Sequence, residues 1–84
     1  MALYRVRFKS KALKDLKSLP DQQRAQIIAK IDLLQDNLAG DVKKLKDFTP
    51  EYRLRVGRYR VLFEMESDNV IMVYRVIHRK DAYR

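Results

Sequence analysis

The stretch Tyr52-Arg53-Leu54-Arg55-Val56-Gly57-Arg58-Tyr59-Arg60-Val61-Leu62-Phe63 constrains this chain more than any other. Arginine and apolar residues alternate up to Gly57, and the alternation resumes beyond it. A period of two marks a strand with two chemically different faces. Gly57 supplies the freedom to turn, so the stretch predicts a tight β-hairpin with Gly57-Arg58 as its two-residue turn. One face is apolar and needs cover. The other carries guanidinium groups.

The chain before the hairpin supplies the cover. Leu3-Tyr4-Arg5-Val6-Arg7-Phe8 alternates and predicts a short amphipathic strand. Ser10 reads as the N-cap of a helix with Ala12, Leu13 and Leu16 at helical spacing, and Leu19-Pro20 closes it. Pro20 and Asp21 then open a longer helix. Its stripe is Ile27, Ile28, Ile31, Leu34 and Leu38, and Gly40 is the expected stop. Asp41 to Pro50 is a connector with a short strand expected around Lys43-Lys44-Leu45-Lys46. After the hairpin, Glu64 to Asn69 ends in turn chemistry, and Val70 to Ile77 reads as a central, nearly continuous apolar strand. The expectation is a single α+β domain over residues 1–84: an N-terminal strand, two helices on one face, and an antiparallel meander of three to four strands.

Pairing assigns the arginines to faces. Around Gly57-Arg58, Val56 opposes Tyr59, Arg55 opposes Arg60, and Arg53 opposes Leu62. With Asp68-Asn69 as a second two-residue turn, Leu62 opposes Arg75, Arg60 opposes Ile77, and Arg58 opposes Arg79. Opposed residues project from one face. Arg53, Arg55, Arg60, Arg75 and Arg79 are thus expected together around Leu62 and Ile77. Leu54, Val56, Tyr59, Val61, Phe63, Met65, Val70, Met72, Tyr74 and Val76 fall to the core face. Gathering like charges costs roughly 0.5 kcal/mol per exposed pair about 8 Å apart. Glu64 and Glu51 are the acids near enough to offset it. Arginine offers phosphate a planar fork, so the cluster reads as a polyanion site rather than a solvated face.

Bulk charge agrees. Nineteen Lys and Arg against eleven Asp and Glu give a formal net charge of +8, a balance suited to a polyanionic partner. The chain has no cysteine, which removes disulfides and thiolate metal sites and fits a reducing cytoplasm. The N-terminal residues lack a signal-like apolar run, and no stretch approaches membrane-spanning length. The expectation is a cytoplasmic protein without a membrane partner. His78, the single histidine, falls by parity on the core face at a strand end. Tyr83, beside basic residues, suits either base stacking or terminal packing. No metal-ligand cluster, paired nucleophile and base, or glycine-rich phosphate loop appears, so neither metal nor small-molecule cofactor is expected.

These segments together resemble the RelE/ParE superfamily of bacterial and archaeal toxins, the RelE branch above all. The likeness spans nearly the whole chain. It includes the β-α-α start, Lys44-Leu45, Tyr52-Arg53-Leu54-Arg55-Val56-Gly57, Tyr59-Arg60-Val61 and His78-Arg79-Lys80-Asp81-Ala82-Tyr83. The resemblance implies a toxin that cleaves mRNA in the ribosomal A site and is held inactive by a RelB-like antitoxin. ParE-like relatives share the fold and poison DNA gyrase instead. Carried over by motif, the catalytic set is Arg53, Arg55, Arg60, Arg79 and Tyr83, with Tyr83 stacking on a base. Further RNA contacts are expected from Lys44, Lys46, Arg58, Arg75 and His78. Where the best-known member has lysines on the first hairpin strand, this chain has Arg53 and Arg55. Arginine positions a phosphate but does not serve as a base. His78, Tyr83 or a ribosomal group stays open for that role, as does a module that binds RNA without cutting it.

Overall fold

In the computed structural model, which describes residues 3–82, the chain runs β1 (Arg5–Phe8), α1 (Ser10–Lys17), α2 (Asp21–Leu33), β2 (Val42–Lys44), β3 (Tyr52–Val56), β4 (Tyr59–Glu66) and β5 (Val70–His78). The strands form one five-stranded sheet in the order β1-β5-β4-β3-β2. All neighbours are antiparallel except β1 and β5, which pair parallel. Both helices lead from β1 to β2 at the opposite edge, and the meander brings β5 back beside β1. The α+β class and the expected meander are therefore present, with a parallel strand added at one edge.

The core lies between the sheet and the helices. Ala12 and Leu16 of α1 and Ile27 and Ile31 of α2 pack with Leu34 against Leu54, Val61, Phe63, Ile71, Val73 and Val76. Ile28 is 39% exposed, so the inward stripe of α2 is narrower than its apolar sequence suggests. The helix also ends earlier than Gly40. It stops at Leu33, and the chain leaves through turns in which Asn37 and Leu38 take positive φ. Gly40 serves another purpose. Its φ is +123°, and a Cβ there would sit 3.0 Å from Leu54 Cδ1, so the chain passes too close to the core for a side chain. The start of α1 differs too: Lys9 occupies the N-cap position and Ser10 is already helical. Arg24 ties the helices together, donating to the Leu16, Lys17 and Leu19 carbonyls at the end of α1 and pairing with Asp21.

The first hairpin pairs as its alternation dictates, with Val56↔Tyr59, Arg55↔Arg60 and Arg53↔Leu62 in register and Gly57 at φ +57°. The second hairpin differs from the expectation in a compensated way. A three-residue 3-10 turn, Ser67–Asn69, replaces the two-residue turn, so Glu66 opposes Val70 and Phe63 opposes Val73. The register then shifts between Leu62 and Phe63, leaving Tyr74 unpaired, and Leu62 opposes Arg75 beyond it. Ile71 and Val73, not Met72 and Tyr74, are therefore the residues that the first half of β5 gives to the helix-side core, while Val70 is buried outside it. Arg75, Val76 and Ile77 keep their expected partners.

Candidate functional site

Two transverse rows on the sheet face turned away from the helices build the site. β2 pairs with β3, and Lys43 opposes Arg53, which opposes Leu62, which opposes Arg75. One step along, the Arg55 N–H donates to the Asp41 carbonyl at 3.0 Å, extending that ladder, and Arg55 opposes Arg60, which opposes Ile77. Side chains of directly opposed residues share a face with Cβ atoms about 5 Å apart. The rows therefore enclose a shallow pocket of about 280 Å³ lined by Lys43, Leu45, Arg53, Arg55 and Arg60. Leu62 forms apolar ground beneath them: it is 3% exposed yet lies outside the helix-side core.

The acid that offsets this charge is Asp41, not Glu64 or Glu51. Arg53 Nη1 donates to Asp41 Oδ1 at 3.1 Å and to its carbonyl at 2.8 Å, and Arg55 Nε donates to Oδ2 at 2.5 Å. The hydrogen bond from Arg53, first of all, holds the Asp41 carboxyl below the usual carboxylate range, with Arg55 adding to it. Glu64 instead accepts from the Glu51 N–H, and Glu51 pairs with Lys44 at 3.9 Å. Arg60 is anchored by the hairpin itself, its Nη1 donating to the Gly57 and Tyr59 carbonyls at 2.9 Å each. Each guanidinium thus commits one nitrogen to the fold, and among the described residues Nη2 of Arg53, Arg55 and Arg60 makes no hydrogen bond. A fixed fork with a free prong suits a ligand with several anionic oxygens.

The remaining expected residues lie elsewhere. Arg75 is bound to the fold: Nε and Nη2 donate to Asp15 of α1 at 2.8 and 3.1 Å, and this partner raises its pKa. Asp15 also accepts from the Val76 N–H at 2.9 Å, on the length of β5 beyond the reach of β1. Arg79 is exposed at the Arg60 end of the sheet, its N–H bonded to the Arg58 carbonyl at 2.8 Å, but it does not line the pocket. Arg58 lines a second, smaller cavity with Gln23, Gln26 and Tyr59 on the helix side. His78 opposes Tyr59, meets its ring edge-on at 5.6 Å, and accepts from the Lys80 N–H through Nδ1. Lys44 opposes Tyr52, which stacks on Phe63 of the core, so Lys44 projects from the face away from the pocket. Lys46 is exposed in the following turn, and Tyr83 lies outside the described residues. Lys43 is the charged pocket residue that sequence reasoning missed, beside the apolar Leu45. The signal was its neighbour: once Val42 faces Leu54 of the core, Lys43 must face with Arg53. Among the described residues, no helix is long and apolar enough to cross a membrane.

Comparison with known proteins gives concordant matches. The family described as "ParE toxin of type II toxin-antitoxin system, parDE" matches residues 6–83. Toxin RelE3 of Methanocaldococcus jannaschii is 38% identical over 84 residues, covering 94% of each chain. Among solved structures, the toxin of the RelB-RelE complex from Methanococcus jannaschii superposes with a TM-score of 0.72 at 38% identity, over 87% of this chain and 89% of that one. The archaeal RelE-RelB complex from Pyrococcus horikoshii OT3 gives a TM-score of 0.75 at 30% identity, over 95% of this chain and 99% of the other.

Proposed function

Because this chain belongs to the RelE/ParE superfamily and is a toxin of the type II toxin–antitoxin class, we propose that it is a ribosome-dependent endoribonuclease that cuts mRNA in the A site and so stops translation. The pocket where Arg53, Arg55 and Arg60 converge is the observation that carries this reading. Cleavage by the adjacent 2′-hydroxyl passes through a phosphorane bearing extra negative charge. Guanidinium groups fixed in advance stabilise such charge without reorganising. Arg53 and Arg55, held by Asp41, and Arg60, held by the hairpin carbonyls, meet that requirement. Arg79 adds charge at the Arg60 end, and Tyr83 stacks on a base of the message. The proposed partner is a RelB-like antitoxin, of the kind named in the archaeal complexes, which silences the toxin in the cytoplasm by covering the sheet or displacing the C-terminal residues. No metal or small-molecule cofactor enters the scheme.

One finding favours a second reading. The matching family description names ParE, which points to a gyrase inhibitor without nuclease activity. Adding purified protein to a translating extract and mapping 5′ ends on the message decides between the two. New ends within A-site codons, lost with Arg60→Ala, support the nuclease. Intact message together with blocked supercoiling by gyrase supports the second reading and overturns the first.

A further inference from the structure

Three arginines explain how a phosphodiester is held, but arginine does not give up its proton at any pH a cell reaches. The 5′-oxygen leaves as an alkoxide and needs a proton as the bond breaks. The pocket contains one side chain able to supply it. Of the five residues lining the pocket, Leu45 is apolar and Arg53, Arg55 and Arg60 are arginines, which leaves Lys43. Its position is fixed by the ladder: Lys43 opposes Arg53 directly, between Val42 and Lys44, which face the other way. The other pocket charges are spoken for, since Arg53 and Arg55 share Asp41 and Arg60 is held by the Gly57 and Tyr59 carbonyls. Among the described residues, the Lys43 ammonium has neither an ion pair nor a hydrogen bond, and the residue is exposed. An uncommitted ammonium on a flexible four-carbon stem, beside the groups that bind the phosphate, is placed as a proton donor.

We propose that Lys43 is the general acid of the cleavage reaction, an inference that rests on the nuclease reading above. The 2′-oxygen attacks phosphorus and forms the new P–O bond while its proton passes to water. The bond from phosphorus to the 5′-oxygen breaks, its electron pair goes to that oxygen, and the oxygen takes a proton from Lys43 Nζ. The products are a 2′,3′-cyclic phosphate and a 5′-hydroxyl. Lys43, left as a neutral amine, regains a proton from solvent.

The test is single-turnover cleavage of ribosome-bound message by the full chain, comparing wild type with Lys43→Ala and Lys43→Arg. Two messages are used, one normal and one with sulfur in place of the scissile 5′-oxygen; a thiolate departs without a proton. Both variants are expected to cut the normal message about 10²- to 10³-fold more slowly than wild type, and the sulfur message within about threefold of it. Lys43→Arg cutting the normal message at the wild-type rate overturns the donor role, because charge alone then suffices. A defect of equal size on both messages overturns it as well. If wild type leaves both messages intact, the nuclease reading falls and this proposal with it; if wild type cuts and Lys43→Ala cuts equally fast, only the proposal falls.

Discussion

Asp41 shows how a cluster of like charge is tolerated at the scale of single residues. Its carboxylate lies between Arg53 and Arg55 and accepts from both, so two guanidinium groups are oriented and partly neutralised before any ligand arrives. A phosphate entering the pocket meets that same carboxylate as a competitor. Asp41→Asn is therefore expected to tighten binding of a short single-stranded RNA about three- to tenfold at low salt, with the difference shrinking as ionic strength rises, as fluorescence anisotropy would record. The pH dependence has a definite sign. The bond from Arg53 lowers the Asp41 pKa in the folded chain from its ordinary 3.8, so the unfolded chain takes up this proton first. The contribution of Asp41 to stability is complete above that ordinary value and is lost as pH falls through the lowered folded one. Thermal midpoints of Asp41→Asn should accordingly fall less steeply than those of wild type below roughly pH 4.

Among the elements, β5 and α1 explain why Arg75 stands apart from the other arginines. β1 pairs only as far as Val73, so the last part of β5 has an open edge beside α1. Asp15 closes it, accepting from the Val76 N–H and from Arg75 together. Asp15→Ala leaves an edge N–H and a guanidinium without their acceptor and should cost about 2 kcal/mol, a fall of roughly 10 °C in thermal midpoint. Arg75→Ala leaves Asp15 its backbone donor and should cost about half as much. Calorimetry on the two variants checks the order; equal losses would mean the Val76 bond contributes nothing. The same strand marks the limit of what the sequence made legible. Alternation in Tyr52–Phe63 was strong enough to give the first hairpin in register, and with it the meeting of Arg53, Arg55 and Arg60. In β5 the residues from Val70 to Val73 are apolar on either face, so a three-residue turn and a compensating bulge left no trace in the pattern. Asp15 and Asp41 reach their partners across 60 and 14 residues, separations at which local periodicity has no say.

For the whole molecule, the fold separates two tasks. The helices and one sheet face bury the apolar residues, which frees the other face to gather cations around a shallow pocket. A net charge of +8 suits a polyanionic partner, and the pocket concentrates part of that charge on one face. The central claim is that the arginines lining the pocket act on the scissile phosphate while Arg75 serves the fold. Single-turnover cleavage of A-site message by Arg53→Ala, Arg55→Ala, Arg60→Ala and Arg75→Ala, each at a temperature where it is fully folded, tests this most directly. The first three should fall about 10²- to 10³-fold in rate, and Arg75→Ala should stay within about threefold of wild type. Pocket variants that cut at the wild-type rate, or an Arg75 variant that falls as far as they do, would contradict the account.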